Sequence, residues 1–293
     1  MRLILSGLAA VFMSAATLFM ASGAFAEQAG EGYAGAEACA GCHGDIAAAF
    51  AQNIHSKAGK FDTGFMGCES CHGPGAQHAG AADPKLIRNP AKLAAVDVNA
   101  ICLGCHDKSK LVHWKGSVHE SRGLGCTDCH SIHNGLKHFL KAESEPELCA
   151  RCHKDIKAQL MKSSHHPIRE GKITCTDCHN PHGTVAPKLI SAGTINEKCF
   201  ECHAEKRGPF LWEHKPVVED CINCHTPHGS NHDKLLVQKP PFLCQSCHSN
   251  LGHAGSLYSA APPTDAHGLY RACLNCHANI HGSNHPSGWA FTR

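Results

Sequence analysis

The sequence predicts a fold of short α-helices and loops with little or no β-sheet, wrapped around a row of bound groups into an extended, wire-like shape. Two observations support this prediction. The pentapeptide Cys-x-x-Cys-His occurs ten times and uses all 20 cysteines. With roughly 27 residues of chain for each pentapeptide and only 6% aromatic residues, the polypeptide is too small to build an ordinary core around each one. The buried apolar surface must therefore come largely from what the pentapeptides bind.

Each pentapeptide is predicted to be a covalent attachment site for haem c. Two thiols three residues apart can add to the two vinyl groups on one side of a porphyrin, and the next residue then lies under the iron as an axial ligand. Disulfide pairing does not require a His after the second Cys, and neither does a zinc site built from Cys-x-x-Cys pairs. The chain is thus predicted to be a multihaem cytochrome c with ten haem c groups.

Attachment is predicted at Cys39, Cys42, Cys68, Cys71, Cys102, Cys105, Cys126, Cys129, Cys149, Cys152, Cys175, Cys178, Cys199, Cys202, Cys221, Cys224, Cys244, Cys247, Cys273 and Cys276. The predicted proximal iron ligands are His43, His72, His106, His130, His153, His179, His203, His225, His248 and His277.

The N-terminus predicts export. Arg2 is followed by an apolar run from Leu3 to Met20 and by the A-x-A cleavage site Ala24-Phe25-Ala26, which together are typical of a secretory signal peptide over residues 1–26. A signal anchor is the alternative, but the run is short and a cleavage site follows it. No other stretch reaches the ~18 apolar residues that a membrane-spanning helix needs. The predicted location is the periplasm, where covalent haem attachment also takes place.

The charge of the chain gives no sign of nucleic-acid binding, because the formal net charge is only +2. Ten haems would add about 20 propionate charges, offset by about ten charges on ferric iron, so the complete protein is expected to be acidic.

The ten motifs fall into five units of two, which begin at Cys39, Cys102, Cys149, Cys199 and Cys244. Each unit carries one His between its two motifs and another soon after the second motif. Only Met66 and Met161 remain after removal of the signal, so bis-histidine ligation and low potentials are expected. The predicted distal ligands are His55, His78, His119, His133, His165, His182, His214, His228, His267 and His281.

Some of these distal ligands have a neighbouring alternative. His166 could replace His165, His253 could replace His267, and His285 could replace His281. A His only three residues after a proximal ligand is unsuited to reach the far side of the same haem, so it is expected to bind a neighbouring one. The residues alone leave open which distal His serves which iron.

A row of six-coordinate haems predicts an electron carrier rather than an enzyme, and no catalytic residue is expected. An enzyme would need an open iron position or a variant haem motif, and the sequence contains no such variant.

Several segments carry a resemblance to a known family. The His-x-Pro-His-Gly segments at His179 and His225, the segment Ser164 to Lys172 and the closing segment His281 to Gly288, together with the motif count, resemble the periplasmic decahaem cytochromes of the MtrA/DmsE family. The resemblance covers essentially the whole chain after the signal peptide.

This resemblance implies a haem wire that inserts into an outer-membrane β-barrel protein. The wire would take electrons between a periplasmic or inner-membrane cytochrome and a surface multihaem cytochrome or extracellular reductase, in extracellular respiration or in iron oxidation or reduction. It also implies two pentahaem halves, here residues 27–160 with haems 1–5 and residues 161–293 with haems 6–10.

Two other functions stay open on the sequence. One is a freely soluble periplasmic shuttle that delivers electrons to a terminal reductase. The other is an enzyme that reduces a nitrogen or sulfur oxyanion. The direction of electron flow is also open, because a bis-histidine wire conducts either way.

Overall fold

The structure is a computed structural model that describes residues 32–61, 67–133, 139–248 and 273–292, with the side chains of 59–61 excepted. The predicted signal peptide and the distal candidate His267 lie outside the described residues. The alternative ligand His253 also lies outside them.

Short α-helices dominate the described part of the chain, and the longest has nine residues. They are α1 Ala36–Cys42, α2 Gly44–Ala51, α3 Glu69–His72, α4 Ala76–Ala81, α5 Ala95–Leu103, α6 Val118–Ser121, α7 Cys126–Cys129, α8 Glu145–Cys149, α9 Lys154–Leu160, α10 Ile195–Phe200, α11 Lys215–Glu219 and α12 Phe242–Gln245. None of the described helices is both long enough and apolar enough to cross a bilayer.

Short 3₁₀ helices fill many of the connections. They are Ile54–Phe61, Pro84–Leu86, Pro90–Lys92, Ser109–Leu111, Cys175–Asp177, Pro187–Leu189, Ala204–Lys206, Cys221–Asn223, Asp233–Leu235, Cys273–Asn275 and Gly288–Ala290. Strand pairing in the described ranges is limited to isolated bridges such as His179 with Ile190 and Ser164 with Ser230. The predicted fold class, short helices and loops without a sheet, is confirmed.

The helices begin where side chains cap them. Ser144 accepts a hydrogen bond from the Glu147 amide at the start of α8, and Thr194 accepts one from Glu197 at the start of α10. Both helices end within or beside a haem motif, so the cap sets where its first Cys lies. In every unit the first Cys of the first motif lies inside a short helix.

The protein core is small. Among the described residues the buried apolar side chains are Val98, Trp114, Ala142, Leu160, Ala186 and Ile190. Several buried positions are instead polar and hydrogen-bonded, such as Asn53, Asn99 and Asn196. Secondary structure in this chain therefore serves mainly to position the motifs and their partners.

The boundary between the predicted halves, at residues 160 and 161, falls at the end of α9. Contacts cross it: the side chain of Glu145 accepts hydrogen bonds from the amide and hydroxyl of Thr176. The division into two halves stays a prediction, and contacts between neighbouring units continue across it.

Candidate haem-binding sites

Each unit contains two kinds of site, which differ in position along the chain. The first motif of a unit is called here its leading site, and the second motif its trailing site. The leading sites end at His43, His106, His153, His203 and His248. The trailing sites end at His72, His130, His179, His225 and His277.

The cysteines place the two sites of a unit side by side. In all five units the thiol of the first leading Cys lies close enough to the thiol of the first trailing Cys for the two to interact electrostatically. These pairs are Cys39 with Cys68, Cys102 with Cys126, Cys149 with Cys175, Cys199 with Cys221, and Cys244 with Cys273. The two-motif unit inferred from the spacing is therefore a structural neighbourhood.

The second cysteines link one unit to the next. They lie close enough to interact electrostatically, and burial is the main cause that raises the pKa of the trailing thiol in each pair. The pairs are Cys71 with Cys105, Cys129 with Cys152, Cys178 with Cys202, and Cys224 with Cys247. Contacts within units and contacts between units alternate, so the ten attachment sites form a line in chain order.

Nine proximal histidines each face a second histidine at nearly constant distance. The ring centres are 5.8 to 6.4 Å apart. The pairs are His43–His78 at 6.2 Å, His55–His106 at 5.8 Å, His72–His133 at 5.9 Å, His119–His153 at 6.3 Å, His130–His182 at 6.1 Å, His166–His203 at 6.4 Å, His179–His228 at 6.0 Å, His214–His248 at 6.2 Å and His225–His281 at 6.2 Å.

This distance fits two imidazoles on one iron. Metal–nitrogen bonds of about 2 Å on either side of the metal put the two ring centres about 6 Å apart. In the pair His55–His106 the two Nε2 atoms face each other at 3.5 Å. The residues present therefore fit haem with two axial histidines.

The partners come from neighbouring units in opposite directions. The leading sites at His106, His153, His203 and His248 face a His of the preceding unit. The trailing sites at His72, His130, His179 and His225 face a His of the following unit. His43 has no preceding unit and faces His78 of its own. His133, His182, His228 and His281, each soon after a second motif, thus face a proximal His of the preceding unit.

The trailing proximal histidines are held by backbone carbonyls. Nδ1–H donates to the Arg88 carbonyl from His72 at 2.8 Å, to Lys188 from His179 at 2.9 Å, and to Lys234 from His225 at 2.8 Å. A carbonyl can only accept, so the proton is on Nδ1 and the Nε2 lone pair is left for a metal. His277 donates to Ala290 in the same way.

The leading sites have the reverse arrangement. Their five proximal histidines are exposed. It is the distal partner that donates to a carbonyl, from His119 to Pro181 at 2.7 Å and from His166 to Pro227 at 2.6 Å.

Burial lowers the pKa of the trailing distal ligands His182 and His228, which favours the neutral form that binds metal.

The structure does not bring the predicted distal ligand His165 opposite a proximal histidine. The sequence prediction named His165, but His166 faces His203. His165 is held elsewhere: its Nδ1–H donates to the Lys162 carbonyl and its Nε2 lies 3.1 Å from the Glu170 carboxylate. That hydrogen bond lowers the pKa of Glu170. With both ring nitrogens engaged, His165 has no nitrogen for an iron.

The choice between His281 and His285 is also clear in the structure. His281 faces His225. In His285, Nδ1 accepts a hydrogen bond from the Ser287 amide at 3.1 Å, which puts the proton of a neutral ring on Nε2. His285 therefore lacks the Nδ1–H tautomer that His72, His179 and His225 have.

The sequence analysis missed two asparagines that position the sites. Asn99 donates to the Leu124 carbonyl and accepts from the Cys126 amide, which ties the two sites of the second unit together. Asn196 joins Val217 to Cys221 in the fourth unit in the same way. Both stand three residues before the first Cys of a leading site, and this recurrence was the available signal.

The carbonyl acceptors of the trailing sites were also missed. Lys188 and Lys234 have left-handed backbone conformations, with φ of 56° and 58°, in turns that follow the motif. The recurring Lys-Leu at 188–189 and 234–235 marks these turns in the sequence.

Comparison with known families supports haem attachment along the chain. A family model described as a doubled CXXCH motif matches residues 165–208 and 214–253. Each of these matches pairs a trailing motif with the leading motif of the next unit. A second model, cytochrome c-type protein NrfB-like, matches residues 68–145.

Similar proteins point the same way. The multihaem cytochrome MtrA of Shewanella baltica is 40% identical over 271 residues, which cover 88% of this chain and 81% of that protein. The C-type polyhaem cytochrome OmcB of Geobacter sulfurreducens is 26% identical and matches over 57% of this chain and 27% of its own length. An undecahaem cytochrome structure from the S-layer of Carboxydothermus ferrireducens matches at 19% identity with a TM-score of 0.16, covering 78% of this chain and 33% of that one, and no conclusion rests on it. With its repeated haem motifs and its close match to the Shewanella protein, this chain belongs to the MtrA family of multihaem c-type cytochromes, which carry electrons on covalent haem and are not enzymes.

Proposed function

We propose that this protein conducts electrons between periplasmic carriers and the cell exterior while seated inside an outer-membrane β-barrel protein. The observation that carries the proposal is the linear order of the ten attachment sites, each next to the following one along the chain. Such an order lets an electron pass from each site to the next along the whole row, which a conduit requires. The expected partners are a periplasmic or inner-membrane cytochrome on one side and a surface multihaem cytochrome or extracellular reductase on the other.

Bis-histidine ligation at all ten haems is part of this proposal. Haem with two axial histidines supplies one-electron chemistry at low potential. The chain contributes the nine facing histidine pairs, with His166 in place of His165. For His277 the proposed distal ligand is His267, the His between the two motifs of the same unit, just as His43 of the first unit faces His78 of its own unit.

The test is to purify the tagged protein from gently solubilised outer membranes of its native host, with its periplasmic fraction as the matched sample. The proposal expects recovery in equal amount with a large β-barrel protein and an optical and EPR spectrum that is entirely low-spin.

Recovery alone from the soluble periplasm would contradict the conduit and support the alternative, a periplasmic shuttle to a terminal reductase. A high-spin component would contradict full bis-histidine ligation and would reopen the case for an enzyme.

A further inference from the structure

The leading site at His106 lacks a hydrogen bond that the leading sites at His153 and His203 have. In the second and third units, the distal ligands donate from Nδ1–H to a backbone carbonyl: His119 to Pro181 and His166 to Pro227. Each acceptor is the residue immediately before a trailing distal ligand. The corresponding acceptor for His55 of the first unit is Ile132, which immediately precedes His133.

The Ile132 carbonyl is engaged by another side chain. It accepts from the Asn53 amide nitrogen at 2.7 Å, while Oδ1 of Asn53 accepts from the His55 backbone amide at 2.7 Å. These two bonds fix the orientation of the amide group, and Asn53 is only 7% exposed. Nδ1 of His55 is buried and has no hydrogen-bond partner.

The residue two positions before the distal ligand makes the difference. It is Asn53 in the first unit, Ser117 in the second and Ser164 in the third. Ser117 accepts from the Glu120 amide and Ser164 from the Leu235 amide. Both serines are shorter than Asn and leave the neighbouring carbonyl to the histidine.

The fourth unit has Trp212 at this position. There Nδ1 of His214 also has no partner within hydrogen-bond distance. The Ile280 carbonyl, however, interacts electrostatically with His214 itself and not with a side-chain amide. In the described residues, a side chain takes up the carbonyl next to the distal histidine only in the first unit, where Asn53 binds Ile132.

We propose that Asn53 raises the reduction potential of the leading site of the second unit, formed by Cys102, Cys105 and His106, so that this site retains electrons more readily than the leading sites at His153 and His203. The inference rests on the bis-histidine ligation proposed above. A hydrogen bond from Nδ1 makes an imidazole a stronger donor and stabilises ferric iron. Without that bond, the ferrous form is relatively favoured.

The test uses two reciprocal variants of the complete protein with its haems. Asn53→Ser gives the first unit the side chain of the second and third, so His55 should donate to Ile132. We expect the reduction potential of one of the ten haems to fall by ~59 mV, which for a one-electron couple shifts its equilibrium about tenfold towards the oxidised form. Ser117→Asn should shift the site at His153 in the opposite direction, and Asn is as good a helix cap as Ser.

The measurements are spectropotentiometric titration, EPR of samples poised at defined potentials and a haem count. If Asn53→Ser fails to assemble, Ser117→Asn decides the question. If all haems are low-spin and neither variant shifts a potential, the proposed role of Asn53 is wrong, while the bis-histidine ligation stands. A high-spin haem in the unmodified protein would contradict the ligation on which the inference rests.

Discussion

Leading and trailing sites use the same pentapeptide but are built in opposite ways. A leading proximal His such as His153 is exposed, and its partner His119 comes from the preceding unit. A trailing proximal His such as His179 is half-buried, donates to a backbone carbonyl, and faces His228 of the following unit. No internal unit supplies both ligands of either of its sites, so neighbouring units complete one another.

This dependence resembles that of repeat proteins, whose units bury surface only against their neighbours. Here each internal unit also provides one histidine that faces a site of the preceding unit and one that faces a site of the following unit. The end unit that begins at Cys39 departs from the rule, because His78 serves its own leading site. The same residue pattern therefore has a different outcome where a neighbour is missing.

The largest expected effect concerns a leading ligand. In His166→Met, one haem should change from bis-histidine to histidine–methionine ligation, with a clear rise in the potential of one of the ten haems. The reason is that His166, not its neighbour, faces His203. Potentiometric titration and the near-infrared bands of the oxidised protein measure this change.

The matched control for this variant is His165→Met. It should leave all haem spectra as they are, because His165 binds Glu170 and the Lys162 carbonyl. A changed haem in the control and none in His166→Met would restore the original sequence prediction and contradict the pairing seen here.

A smaller effect is expected where a trailing site depends on contact between units. Gly229 follows the distal ligand His228, and a Cβ added there would overlap the Gln159 carbonyl. Gly229→Ala should destabilise the protein by about 1–3 kcal/mol, as overpacking does. It should also loosen His228 from the site at His179. Denaturant unfolding followed by haem absorbance measures both.

Gly80→Ala is the control, since Gly80 lies in α4 and a Cβ there meets nothing within 4 Å. Equal stability of Gly229→Ala and Gly80→Ala would show that trailing sites do not depend on this contact.

The sequence was sufficient for features that are local in the chain. Attachment cysteines and proximal histidines lie within five residues, so their spacing predicts the chemistry. Distal ligands depend on how units pack, and sequence reasoning found the candidates without their partners. His165 and His166 are adjacent, and only the position of Glu170 and of the Pro227 carbonyl separates their roles. The Ile132 carbonyl belongs to the backbone, which every residue carries, so no pattern of side chains could have marked it.

The smallest effect is spectroscopic and needs no change in stability. Ring planes in the four trailing pairs seen here are nearly parallel, at 8° to 23°. The leading pairs vary: His55–His106 and His119–His153 cross at 70° and 73°, His166–His203 is tilted at 49°, and His43–His78 and His214–His248 are nearly parallel at 19°. Crossed axial planes bring two iron d orbitals close in energy and give a strongly anisotropic low-spin EPR signal, whereas parallel planes give a rhombic one. The oxidised protein should therefore show a minority of strongly anisotropic haems, and His119→Met should remove one of them. A uniformly rhombic spectrum would contradict the crossed ring planes of His55–His106 and His119–His153.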